Sequence, residues 1–186
     1  MLKQDFRKAV LQARAELSST KKFDLDYWVN FSLMDFCSQF NFEKILCFYP
    51  THSEPNILNC LNKLKENGSQ LYFTRVQAEA SELEICPIND LEADFQTGSL
   101  KIMEPRKSIK AVAEDSFDLI LVPGLAFSES CQRIGYGKGF YDKLLAKLKG
   151  LKVGIAFDFQ IYKQLPTEKH DVNLDIVLTE KGTYKI

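Results

Sequence analysis

The chain has 186 residues, 45% apolar and 26% charged, which is the composition of a globular protein long enough to bury a sizeable core. A formal net charge of −1 excludes a global pull toward nucleic acid or an anionic membrane, so any anion must be gripped locally. No apolar run approaches the roughly 20 residues of a membrane span, and "MLKQDFRKAV" lacks a signal-peptide core, so the expected location is cytoplasmic.

Leu2, Phe6, Val10, Ala13 and Leu17 recur at spacings of three and four, which predicts an amphipathic helix ending near "ELSST". On its 3.6-residue wheel Lys3, Arg7 and Arg14 fall within about 40° of one another, a basic stripe with no acidic partner along it. A second helix is expected from Asp26 to about Phe40. "KILCFYP" reads as a buried strand stopped by Pro50, and "NILNCLNKLKENG" as a helix stopped by Gly68. "QLYFTRV" is the next strand, and "ELEICPIND" a third that Pro87 confines to an edge. Asp90 to Asp115 is weakly periodic and reads as loops with short elements. The continuous apolar run "DLILVPG" is the strongest strand signal. A helix from about Gly139 to Leu148 and the strands "KVGIAF" and "LDIVLT" follow.

Strands alternating with helices, several of them apolar throughout, imply a mostly parallel sheet with helices on both faces. The fold expected is a single α/β domain over residues 1–186, three-layered and Rossmann-like. Ligands of such sheets sit outside the carboxyl ends of the strands, here the loops after Tyr49, Val122 and Phe157. The five cysteines (Cys37, Cys47, Cys60, Cys86, Cys131) form no C-x-x-C pair and predict neither a disulfide nor a zinc framework. No Ser–His–Asp order or H-x-x-x-H motif involves His52 or His170.

One rim segment stands out, "RIGYGKGFYD" from Arg133 to Asp142. Gly135, Gly137 and Gly139 alternate, so successive N–H groups can converge on an anion, with Lys138 and Arg133 as cations beside them. The spacing is neither a Walker loop nor the dinucleotide G-x-G-x-x-G. Alone it reads first as a flexible turn with solvated cations. Asp142 would repel a phosphate unless a cation lay between them, and magnesium binds through one or two carboxylates plus phosphate oxygens. Asp175 is the candidate second carboxylate. On the loop "YPTHSEPN", Tyr49 offers an aromatic face and Glu54 an acceptor for an amino-heterocycle.

Together "LVPGLAF", "RIGYGKGFYD" and "PTEKHDVNLDIVLT", with "KQDFRKAVLQAR" and "FYPTHSEPN", resemble the 5-formyltetrahydrofolate cyclo-ligase family along nearly the whole chain. The sequence departs from that pattern at Ser128 (often Asp), Cys131 (often Gly), Phe140 (often Tyr) and Lys143 (often Arg). The resemblance implies an ATP- and magnesium-dependent ring closure of 5-formyltetrahydrofolate to 5,10-methenyltetrahydrofolate. It implies ATP contacts at Lys3, Gln4, Asp5, Phe6 and Arg7, and again at Arg133, Ile134, Gly135, Tyr136, Gly137, Lys138, Gly139, Phe140 and Tyr141. It further implies magnesium at Asp142 and Asp175, folate at Tyr49 and Glu54, and Lys138, Arg133 and Tyr141 closest to the chemistry. Phe127 and Tyr141 are further candidate walls. The expected partners are small molecules alone, with no nucleic acid or membrane, and the expected state is a monomer. A sugar-phosphate isomerase and a non-catalytic nucleotide- or folate-binding module remain rival readings, separated by Mg-ATP binding and by turnover.

Overall fold

A computed structural model of the chain describes residues 1–77, 82–98 and 102–185. In chain order come α1 (Lys3–Ala15), α2 (Ser19–Ser38), β1 (Lys44–Cys47), α3 (Leu58–Glu66), β2 (Gln70–Gln77) and β3 (Glu82–Ile88). The short strands β4 (Phe95–Thr97) and β5 (Met103–Pro105) precede β6 (Ser116–Val122), β7 (Ala126–Ser128), β8 (Arg133–Ile134) and α4 (Phe140–Leu145). Then follow β9 (Lys149–Ile155), a 3-10 turn (Asp158–Gln160), β10 (Ile161–Tyr162), β11 (Ile176–Thr179) and β12 (Gly182–Lys185).

Seven strands form the main sheet in the order β12-β11-β9-β6-β1-β2-β3. The five inner strands run parallel, and β3 and β12 close the edges antiparallel. Pro87 lies on edge strand β3, where its missing N–H costs no ladder bond. Successive residues of the apolar strands point to opposite faces. Leu119 and Leu121 join the core under α2 and α3, while Ile120 and Val122 join the core under α4. The α/β architecture with a mostly parallel sheet and helices on both faces is therefore as expected. Among the described residues no helix is long and apolar enough to cross a membrane.

Several details differ from the sequence reading. Helix α2 begins at Ser19, well before Asp26, because the Ser18 hydroxyl caps it, accepting from the Lys21 N–H at 3.2 Å. Helix α4 stops at Leu145, short of Leu148. A second sheet, β10-β7-β8, was not foreseen. Helix α1 packs on that small sheet, through Phe6 and Val10 against Leu125, Ala126, Ile134 and Leu165. The stretch from Asp90 to Asp115 holds only the β4–β5 hairpin, with residues 99–101 outside the described set. All five cysteines are buried thiols, and burial pushes Cys37 up to about 12, far from reactivity. Cys131 has φ +58°, the left-handed region that glycine enters without strain.

Candidate active site

The carboxyl ends of β1 and β6 open into a cleft of about 930 Å³. Phe48 and Tyr49 line it from the end of β1, Pro123 from the end of β6, and residues 133–142 from the glycine loop. The predicted rim is therefore the right one for two of its three loops. The third, after β9, acts from behind: Gln160, fully buried, donates to the Gly124 and Leu125 carbonyls at 3.2 and 2.7 Å and fixes the chain beneath the cleft.

The glycine loop is built as an open concavity. Gly137 and Gly139 sit at φ +94° and +68°, so L side chains there are strained. Gly135 has no positive φ; its role is space, since a Cβ there would lie 2.7 Å from the Arg133 Nη1. Among the described residues the backbone N–H groups of Tyr136, Gly137, Lys138 and Gly139 donate to no protein acceptor. Four open donors beside two cations form an anion nest. Lys138 is exposed, has no carboxylate within 4.0 Å among the described residues, and lies 5.9 Å from the Phe140 ring centroid.

The basic stripe of α1 does face this loop, but each cation has a separate task. Arg7 Nε donates to the Gly135 carbonyl at 2.8 Å, which leaves its Nη groups by Gly137. Arg14, buried, donates to the Gly124 carbonyl at 2.8 Å and to the Tyr136 hydroxyl at 3.3 Å. Lys3 is held by Asp171 through both carboxylate oxygens, at 2.9 and 2.7 Å, with Glu168 at 3.5 Å. Burial raises the Asp171 pKa, but the Lys3 ammonium and the Glu168 N–H outweigh it and hold the carboxyl below its usual range. Lys3 thus ties the 168–171 segment to α1. The other expected ATP contacts on α1, Gln4, Asp5 and Phe6, do not line the cleft. Phe6 is core, edge-on to Tyr162; Asp5 accepts from the Leu2 N–H at 2.7 Å; Gln4 is exposed. Ile134 is core as well.

Arg133 and Asp142 form an ion pair under the loop. The Arg133 side chain is only 3% exposed; Nη2 donates to Asp142 Oδ1 at 2.8 Å and Nη1 to the Pro123 carbonyl at 3.3 Å. Its guanidinium lies over Tyr141, 5.7 Å from the ring centroid. Arg133 is a buried brace under the loop instead of a solvated phosphate fork. Asp142 lines the cleft with Oδ2 remaining. Asp175 is not brought to it. It precedes β11, at the amino end of a parallel strand, and its Oδ2 accepts from the Lys152 N–H at 2.7 Å. It lies beside Lys152, midway along β9, and does not line the cleft.

Beyond the loop the cleft turns apolar. Tyr49 lines it and packs on Phe95, with centroids 4.7 Å apart. Glu54 is 3% exposed, and both oxygens are engaged: Oε1 accepts from the Tyr136 hydroxyl at 3.1 Å and Oε2 from the Thr51 N–H at 2.8 Å. Burial and the Glu54 charge raise the Tyr136 pKa, so that hydroxyl stays a donor. Tyr141 lines the floor, its pKa raised by burial. Phe127 is fully buried core and forms no wall. His52 is exposed. Several lining groups escaped sequence reasoning. Glu104 sits on a three-residue strand without periodicity, while Val76 and Leu83 follow ordinary strand patterns. Only tertiary placement marks them.

A family model, the 5-formyltetrahydrofolate cyclo-ligase family, matches residues 1–180. The chain is 29% identical over 180 residues to a 5-formyltetrahydrofolate cyclo-ligase of Mycoplasma genitalium, covering 95% of this chain and 96% of that one. It superposes on a 5,10-methenyltetrahydrofolate synthetase of Aquifex aeolicus with a TM-score of 0.86 at 31% identity, covering 100% of this chain and 93% of that one. A Mycoplasma pneumoniae 5,10-methenyltetrahydrofolate synthetase gives 0.77 at 26%, covering 97% and 99%. Matched by the family model over residues 1–180, the protein belongs to the 5-formyltetrahydrofolate cyclo-ligase family.

Proposed function

We propose that this enzyme closes 5-formyltetrahydrofolate to 5,10-methenyltetrahydrofolate and consumes ATP, releasing ADP and phosphate. The observation that carries the reading is the pairing in one cleft of four open loop N–H donors, next to Lys138 and Arg7, with an acidic, aromatic chamber around Tyr49, Glu54 and Tyr141. The first half suits a phosphate tail and the second a flat amino-heterocycle.

The chemistry asks for this division. A formamide oxygen is a poor leaving group; transfer of a phosphoryl group to it creates a good one. The neighbouring amine nitrogen then attacks the activated carbon, closes the five-membered ring and expels phosphate. Phosphoryl transfer requires alignment and charge neutralisation, not a protein nucleophile. The chain supplies the loop N–H groups, the Lys138 ammonium and the free Nη edge of Arg7 for the phosphates. Arg133, Arg14 and Glu54 keep the loop in place from below.

Magnesium fits this donor set through one carboxylate. Asp142 keeps Oδ2 on the cleft side, and a magnesium ion reaches proteins through one or two carboxylates together with phosphate oxygens. Asp175 does not fit, since it lies outside the cleft and its Oδ2 accepts from the Lys152 N–H. When bound, the metal would supply charge neutralisation between the phosphates.

The test is to mix the protein with 5-formyltetrahydrofolate and Mg-ATP and to follow methenyl-folate absorbance. ATP-dependent product is expected. No product at ample enzyme concentration refutes the proposal, and ligand binding without turnover would favour the binding-module reading.

A further inference from the structure

Helix α2 buries Val29, Leu33 and Cys37 in the core, yet its outer face is not the polar one a surface helix usually presents. Phe23, Tyr27, Trp28 and Phe31 stand there between 50% and 73% exposed. Tyr27 is edge-on to Trp28 and Trp28 to Phe31, with centroids 5.3 and 5.6 Å apart, and Phe23 lies one turn before Tyr27. Single exposed apolar residues are ordinary; a run of four aromatics on one face is not. Phe40 is a separate case, because it stacks on Phe42 of its own chain. No residue of α2 lines the cleft, so the reaction gives this face no task. An aromatic side chain offers about 150–250 Å² for burial, so four at these exposures leave on the order of 500 Å² uncovered. Two such faces closed on each other bury on the order of 1,000 Å² from the rings alone, about the floor for a specific interface.

The charges on the same face select the occupant. Lys21, Trp28 and Asp35 stand seven residues apart, two helical turns each, and so share one stripe. Lys21 and Asp35 are exposed, and neither side chain has an ion-pair partner among the described residues. The stripe is complementary to itself when run antiparallel. With Trp28 on a twofold axis, Lys21 of each copy meets Asp35 of the other, about 10 Å to either side. Asp24 then falls opposite Ser32, whose hydroxyl can donate to it. Run parallel, Lys21 would face Lys21 and Asp35 would face Asp35. We propose that the protein forms a twofold homodimer through antiparallel α2 helices with Trp28 at the axis, in place of the monomer expected from the sequence.

The experiment is sedimentation velocity of the full chain from about 0.1 to about 50 μM, for wild type and four variants. Wild type should show a monomer–dimer equilibrium with a Kd of about 1–10 μM, as suits an interface near the small end of the range. Trp28→Glu sets two carboxylates at the axis and should be monomeric throughout, with circular dichroism like wild type. Lys21→Glu and Asp35→Lys each turn two attractions into two repulsions and should raise the Kd about tenfold. The double reversal Lys21→Glu/Asp35→Lys should bring it back to within about threefold of wild type. That rescue separates a registered pair of helices from a merely adhesive patch. Because Lys21 and Asp35 are exposed, their variants carry the test even if Trp28→Glu fails to fold. A wild type that stays monomeric at the highest concentration overturns the inference and assigns the face to another partner. Open-ended aggregates in place of a dimer overturn it too, as does a dimer that survives in Trp28→Glu. Charge reversals that leave the Kd unchanged, or that the double variant does not rescue, have the same force.

Discussion

Replacing Asp142 with alanine separates its two roles, as partner of Arg133 and as magnesium ligand. The substitution leaves a guanidinium that is 3% exposed with only the Pro123 carbonyl at 3.3 Å. Removing one member of a buried ion pair costs about 3–5 kcal/mol, because the other charge is stranded. The Asp142 side chain is 19% exposed, so water enters the gap, and the low end applies, about 3 kcal/mol. For a chain of this length each kcal/mol moves Tm by about 2–4 °C, giving a fall of about 6–12 °C. Asp142→Asn keeps an acceptor for Nη2 and should cost only about 1 kcal/mol. The double variant Arg133→Met/Asp142→Ala should be more stable than additivity predicts by about 2 kcal/mol. The assay is urea unfolding followed by circular dichroism, in EDTA and without nucleotide, so that no metal contributes. If Asp142→Ala stays within about 0.5 kcal/mol of wild type under those conditions, the brace is wrong. A shifted magnesium requirement in the folded Asp142→Asn enzyme would report the second role separately.

Three further outcomes follow from the same geometry. Lys138→Ala removes an exposed cation with no ion-pair partner among the described residues. Stability should hold within about 0.5 kcal/mol while the KM for ATP rises about tenfold, and unchanged kinetics would remove Lys138 from the phosphate site. The Asp171 carboxyl, held below its usual pKa in the fold, lends stability that is complete above the unfolded value of about 3.9 and lost as pH falls through the folded one. The stability gap between wild type and Lys3→Ala, about 1 kcal/mol near neutrality, should therefore persist at pH 5 and close only at strongly acid pH; a gap that closes above pH 5 contradicts the pairing. At Cys131 the usual order should invert. Its φ of +58° costs any L residue about 1–2 kcal/mol, so Cys131→Gly should unfold at a Tm no lower than Cys131→Ala, and a clearly lower Tm would refute the backbone account.

The parallel sheet was legible because strands buried on both faces become continuous apolar runs, as at "DLILVPG". The division of that strand between two cores was not, since Leu119 and Ile120 are alike in hydropathy and only the pleat separates them. The small sheet escaped notice because its strands are two or three residues long, too short for a period of two to register. Its partners are also far apart, Ser128 with Tyr162. Asp175 is instructive in the other direction. Its place at the start of "LDIVLT" already put it at the amino end of a parallel strand, where ligands of such sheets do not sit. The resemblance joined it to Asp142; strand polarity separates them. Glu104 could not be read at all, because its burial depends on Gly98 across a hairpin and on Val76 in another strand.

Which cations serve the ligand is decided by what they already hold. An unpaired cluster of Lys3, Arg7, Arg14 and Arg133 behind one loop would repel itself and loosen the fold before any phosphate arrived. Instead Lys3 meets Asp171, Arg133 meets Asp142, and Arg14 and Arg7 are spent on the carbonyls of Gly124 and Gly135. Each tie ends on the loop or on a segment beside it, so positive charge that looked like phosphate-binding capacity in the sequence is converted into position. Tyr136 extends the same logic: its hydroxyl, held between Arg14 and Glu54, pins the loop from within. With the Gly135 carbonyl held by Arg7 and the Tyr136 hydroxyl held by Arg14 and Glu54, the N–H groups of residues 136–139 stay without a protein acceptor among the described residues, and the ordering of a glycine-rich loop is met in advance by buried contacts instead of by the ligand. That leaves Lys138 and the outer edge of Arg7 as the charges free to meet a phosphate. A chain with a net charge of only −1 can hold a polyanion by this means, through local geometry without a basic surface.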